Sequence, residues 1–129
     1  MKSNNELDRL SRIILDSSIE VHKELGPGKL ESIYQLCLIK EFQNKGIMFA
    51  SSVKFPLPYK GISLDKDFIV DIVVEDEIII ELKAVEVILP VHTAQIISYL
   101  KVTNKRLGFL INFNTPKLIE GFRRYVNNF

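Results

Sequence analysis

The stretch FIVDIVVEDEIIIELKAV, residues 68–85, constrains this chain more than any other. Two short runs rich in Ile and Val flank the acidic triplet Glu75-Asp76-Glu77. Branched side chains favour extended backbone, and a charged triplet between apolar runs reads as a turn between strands. Yet Asp71 interrupts the first run, and Glu81 and Lys83 interrupt the second. Apolar neighbours at Val70 and Ile72 predict burial on both faces of the first strand. A buried, isolated carboxylate costs several kcal/mol or more, so it must neutralise, pair or bind a cation.

The turn length sets which ions meet. With Glu75-Asp76-Glu77 as the loop, Val74 opposes Ile78, and Asp71 then opposes Glu81. Lys83 lies two residues further along, on the same face. A two-residue loop would instead put Glu81 opposite Val70. The three-residue register brings the Asp71 and Glu81 Cβ atoms to roughly 5 Å. Two ionised carboxylates at about 5 Å repel by about 3 kcal/mol at an effective dielectric near 20. A divalent cation turns that repulsion into affinity, and hard oxygen donors favour Mg²⁺ or Mn²⁺. Lys83 beside such a pair can orient water or stabilise charge on a transferring phosphate. Carboxylates, metal and lysine together suit phosphodiester hydrolysis. The plainer alternative leaves Glu81 and Lys83 as ordinary residues on a polar sheet face.

The flanking sequence predicts a mixed α/β domain. Leu7, Leu10, Ile14, Val21 and Leu25 recur at helical spacing over residues 5–25, and Gly26-Pro27-Gly28 ends that helix. A second helix is expected from Lys29 to Lys45, with Gly46 as its stop. Residues 47–59 alternate as a strand, with Pro56 and Pro58 marking an edge or irregular one. Strands follow at 67–74, 78–85 and 107–113, and Pro90 opens a helix to about Val102. Pro116 is expected to open a last helix ending near Val126. The predicted order is α-α-β-β-β-α-β-α, a central four-stranded mixed sheet flanked by helices.

Bulk properties narrow the function classes. Length predicts one domain over residues 1–129. Net charge is +1, from 17 basic and 16 acidic residues, so any argument for nucleic acid must rest on a site. Apolar runs are too short to span a bilayer, and MKSNNELDRL lacks a signal-peptide core. A single cysteine, Cys37, excludes an internal disulfide and a cysteine-rich zinc site. A reduced, cytoplasmic setting is the expectation, with no membrane partner.

Asp71, nine intervening residues, then Glu81-Leu82-Lys83 resembles the PD-(D/E)XK nuclease motif, with Val70 where the motif carries proline. Gly28, Glu31 and Tyr34 in GKLESIY resemble the signature of the GxxExxY protein family, a branch of that superfamily. The likeness extends in order through IVDIVVEDEIIIELKAVEVILPVHTAQIISYLK and LGFLINF, over roughly residues 10–126. It implies a restriction-endonuclease-like α/β core and a metal-dependent nuclease. Asp71, Glu81, the Leu82 backbone carbonyl and Glu31 would form the Mg²⁺ or Mn²⁺ site, with Lys83 positioning water. It further implies a nucleic-acid substrate, DNA ahead of RNA, and a homodimer by analogy with small resolvase-like members.

His92, Gln95 and Tyr99 resemble the Q-x-x-x-Y element, with its upstream His, of RecB-like members. Helical geometry places the three within about 60° of arc, either a face that contacts nucleic acid or a core-edge Tyr and His satisfied by backbone hydrogen bonds. Tyr34 either faces the same cleft, binding substrate, or packs in the core. Glu31 is also explained as a carboxylate in the first turn of a helix. His22 and Cys37 read as structural; Lys101, Lys105 and Arg106, with Arg123 and Arg124, read as solvated surface ahead of a phosphate-facing patch. Two other readings compete: a non-catalytic nucleic-acid-binding or accessory protein keeping the fold, and an interaction module whose buried ions fix strand register.

Overall fold

The two Ile/Val-rich runs form the centre of the sheet. In the computed structural model, which describes residues 1–129, β2 (Ile62–Val74) and β3 (Ile78–Lys83) make an antiparallel hairpin. Val74 faces Ile78, Val73 faces Ile79 and Ile72 faces Ile80, the register expected of the acidic turn. Glu75 and Asp76 reverse the chain in left-handed backbone, at φ 51° and 58°. β1 (Phe49–Tyr59) pairs antiparallel with β2 and slips register between Pro56 and Leu57. Proline lacks the N–H a regular ladder needs, so an edge strand is where it fits. β2 begins at Ile62 rather than 67 because the Lys60-Gly61 turn closes this second hairpin directly.

β4 (Leu107–Asn112) lies parallel to β3, reached through α3 (Pro90–Thr103). α3 ends at Asn104 in left-handed backbone, φ 55°. α1 (Asn4–Leu25) starts from Ser3, whose hydroxyl accepts the Glu6 N–H at 3.2 Å. α2 (Glu31–Asn44) starts two residues later than expected.

The expected final helix does not form. Residues 118–121 make one 3₁₀ turn, and β5 (Phe122–Val126) pairs antiparallel with β4. The sheet therefore has five strands in the order β1-β2-β3-β4-β5, with three α-helices, not four strands and four. The reason is tertiary. β4 would otherwise present an open row of N–H and C=O groups, and Phe122, Tyr125 and Val126 tolerate extended backbone well. Gly121 makes the approach possible, because a Cβ there would sit 2.1 Å from the Asn112 carbonyl oxygen.

Helices cover both faces. Leu7, Leu10 and Ile14 of α1 with Tyr34, Leu38 and Phe42 of α2 pack on Ile72, Val74, Ile80, Leu82 and Phe109. On the other face, Leu100 of α3 joins Val70, Val73 and Ile79. Ile96 and Leu100 come close to the sheet over Gly108, where a Cβ would meet Ile96 Cδ1 at 3.2 Å. No helix is long and apolar enough to cross a membrane.

Candidate active site

Asp71 marks a break in the middle of the sheet. Val70 and Val73 share one hydrophobic cluster although strict alternation would put them on opposite faces. On the β1 side, Ser51 pairs with Ile72 and Val53 with Val70, while Ser52 between them adopts φ 51°. On the β3 side the ladder stops at Ile72–Ile80, one pair short of Asp71 and Glu81. Side chains take over there. Asp71 Oδ2 accepts the Leu82 N–H at 2.8 Å, and Glu81 Oε1 accepts the Asp71 N–H at 3.2 Å. A buried carboxylate needs donors, and these two take them from backbone amides. The two acids are thus brought together as the register argument predicts, but at the point where the strands part.

The cost of assembling them appears in their protonation. Glu81 is buried, and burial, then the charge of Asp71, pushes its carboxyl from 4.5 up to about 8. The Asp71 N–H and the Lys83 ammonium pull the other way, while Glu31 adds repulsion. Burial also raises Asp71, offset by the Leu82 N–H and Lys83, with Glu31 again raising it. Lys83 itself is half-buried, and its ammonium makes no hydrogen bond or ion pair. Glu31, exposed on the first turn of α2, is close enough to act on both acids electrostatically but makes no bond to either.

The donor set suits a hard divalent cation. Asp71 Oδ1 and Glu81 Oε2 accept no hydrogen bond from the protein, and the two acids repel each other. No group of three His, Cys, Asp or Glu side chains converges closely enough to hold an ion alone. Two carboxylates completed by water and phosphate oxygens is a common arrangement for Mg²⁺.

The α3 residues divide. Gln95 donates to the Tyr99 hydroxyl at 3.0 Å, and Tyr99 stacks on Phe68 with ring centroids 4.6 Å apart. Burial, then the charge of Glu81, raises the Tyr99 hydroxyl, so this side chain borders the acidic pair. His92 accepts the Leu89 N–H through Nδ1 at 3.0 Å, closing the start of α3. Tyr34 is fully buried, stacks on Phe113 at 4.4 Å, donates to the Gly26 carbonyl at 2.6 Å and accepts the Lys29 N–H. That places it as the anchor of the GPGK loop and leaves no free face for a substrate. His22 meets the Thr115 carbonyl at 2.8 Å, and Cys37 packs against the core. Of the basic residues, Lys105 meets Asp76, Arg106 binds the Lys2 carbonyl, and Arg106 and Arg124 both lie against the Phe129 ring, 5.9 and 4.7 Å from its centroid, with Arg123 beside Arg124 on β5.

Two residues that support the site escaped the sequence reading. Asn112 is buried in β4, accepts the Val85 N–H and donates to the Val85 carbonyl, fixing the chain just after Lys83. Its signal was a lone amide in an apolar run, the same kind of breach that exposed Asp71. Gln35 donates to the Asp71 carbonyl, and nothing in its helical position announces that contact.

A five-stranded mixed sheet between helices, with an acidic pair and a lysine at a split between central strands, defines a nuclease-type α/β fold. The family model of the PD-(D/E)XK nuclease superfamily matches residues 8–125, and the chain belongs to that superfamily. Its members generally use divalent metal ions and act on nucleic acids. No curated protein and no solved structure gives a significant match.

Proposed function

We propose that this protein is a metal-dependent nuclease that hydrolyses phosphodiester bonds, its residues 1–129 forming one nuclease-like domain. The observation that carries the reading is the Asp71–Glu81 pair, set where the ladder opens and flanked by an unpaired Lys83. Asp71, Glu81 and the Leu82 backbone carbonyl would hold Mg²⁺ or Mn²⁺, with Glu31 joining through water. The bound ion would supply an acidified water and offset charge on the phosphate. Lys83 would orient that water and stabilise the transferring phosphate. Gln95 and Tyr99, with His92 at the start of the helix, would line the path of the strand.

Gly28, Glu31 and Tyr34 support placement in the GxxExxY branch. Tyr34 would serve that signature by holding the loop that presents Glu31. DNA ahead of RNA, a homodimer and a cytoplasmic setting complete the reading. The test assays plasmid, single-stranded and branched DNA and RNA with Mn²⁺ or Mg²⁺, alongside Asp71→Ala and Lys83→Ala. Cleavage by the native chain and its loss in both variants is expected. Equal cleavage by the variants would remove the site from the mechanism.

A further inference from the structure

Asp71 has lost its ladder partners on both sides, and a buried carbonyl without a partner is costly. Its carbonyl is nevertheless satisfied: Gln35 Nε2, from α2, donates to it at 3.0 Å. The same amide nitrogen donates to Ser51 Oγ at 3.0 Å, with Ser52 Oγ at 3.4 Å. The Asp71 carbonyl can only accept, which fixes the amide orientation, because only the NH₂ end can donate. Gln35 also sits one helical turn after Glu31, on the same face of α2. The helix that carries Glu31 is thereby tied to the backbone of Asp71 and to β1 in one step.

We propose that Gln35 is a positioning residue for the Asp71 carboxylate, an inference that rests on the metal-site reading above. A β-strand is normally held by its neighbours, and here the neighbours let go at Asp71. The Leu82 N–H bond fixes one end of the Asp71 side chain, and Gln35 fixes the backbone from the opposite side. With the Gln35 amide gone, the Asp71 peptide can rotate, and its carboxylate is no longer held on the Leu82 N–H beside Glu81. Ser52, in left-handed backbone opposite Asp71, brings its Oγ to 3.4 Å from the same Gln35 amide. Partners that orient a metal ligand in this way affect affinity by roughly 10- to 100-fold.

The test uses Gln35→Met, which keeps length and removes the amide, and Gln35→Ala as a second variant. Two quantities are read on each: amide hydrogen exchange in the metal-free chain, and Mn²⁺ affinity by calorimetry. Exchange at the Leu82 amide, which reports the Asp71 carboxylate, is expected to rise about tenfold. The Ile72 and Ile80 amides, in the intact ladder, should keep their protection and so certify the fold. Mn²⁺ affinity is expected to fall roughly 10- to 100-fold. Unchanged Leu82 exchange overturns the proposal whatever the metal does. Faster exchange with unaltered Mn²⁺ affinity overturns it as well, since the clamp would then have no consequence for the ligand. Faster exchange in a protein whose native form binds no Mn²⁺ leaves the clamp standing and sinks the metal-site reading instead.

Discussion

Burial and the charge of Asp71 lift the Glu81 carboxyl to about 8, so the folded chain keeps a proton that the unfolded chain releases near 4.5. The native state then binds more protons over that interval, and stability falls as pH rises from about 4.5 through 8. The slope from one such group is at most about 1.4 kcal/mol per pH unit. Glu81→Gln removes it, so the metal-free variant should unfold at higher urea than the native chain at pH 8, with the gap closing toward pH 4.5. Urea titrations across that range check this, and a gap that stays constant with pH would count against the assignment. The same proton competes with a cation, so Mn²⁺ affinity should climb with pH up to about 8 and release a proton on binding. Lys83→Ala acts differently: it touches neither carboxylate directly, so metal should still bind while cleavage drops by roughly 10²- to 10³-fold. Single-turnover cleavage with a parallel metal titration separates those two effects.

The strands and turns carry their own tests. Gly121 lets the chain pass Asn112 so that β5 can close the sheet, and a Cβ there meets a backbone oxygen that cannot move aside. Gly121→Ala should therefore cost at least about 2 kcal/mol, as expected of overpacking against backbone, read by denaturant unfolding. Tyr34 ties the GPGK loop to α2 through two hydrogen bonds of its hydroxyl. Tyr34→Phe keeps the stack on Phe113 and should lose about 0.5–1.5 kcal/mol, the net worth of a hydrogen bond to the half-buried Gly26 carbonyl. Its effect on cleavage should exceed its effect on α1, because the loop leads into Glu31; hydrogen exchange in both helices tells them apart. The β2–β3 hairpin could be read from its residues alone because turn length and strand period are local quantities. The final strand could not. Leu118 to Val126 carries no local signal strong enough to outweigh a proline that also starts helices, and its partners in β4 lie from Ile111, opposite Phe122, back to Leu107, opposite Val126.

The assembled molecule has little net charge, and Lys105, Arg106 and Arg124 make their contacts with Asp76, Lys2 and Phe129 rather than at the acidic pair. Phosphate approaching Asp71 and Glu31 meets like charge, while the proton on Glu81 leaves that carboxyl with nothing to attract it. Nucleic-acid binding should therefore be weak without divalent cation and strengthen on adding Mn²⁺, and the gain should vanish in Asp71→Ala. Fluorescence anisotropy with a cleavage-resistant oligonucleotide measures it; equal binding with and without metal would favour the non-catalytic reading. An apolar hollow of about 450 Å³, lined by Met48, Ala50, Val53 and Phe55, lies on the flank of the sheet and includes neither Asp71 nor Glu81. The chemistry proposed above belongs to the acidic pair and makes no use of this hollow. The residues themselves dictated the two-strand hairpin, its register and the meeting of Asp71 with Glu81, because alternation, turn length and the cost of buried charge act over a few neighbours. Only the folded chain decided that the ladder opens at that meeting, that Gln35 from a helix and Asn112 from a distant strand hold its edges, and that a fifth strand closes the sheet. Those outcomes depend on which backbone groups lack partners once everything else has packed.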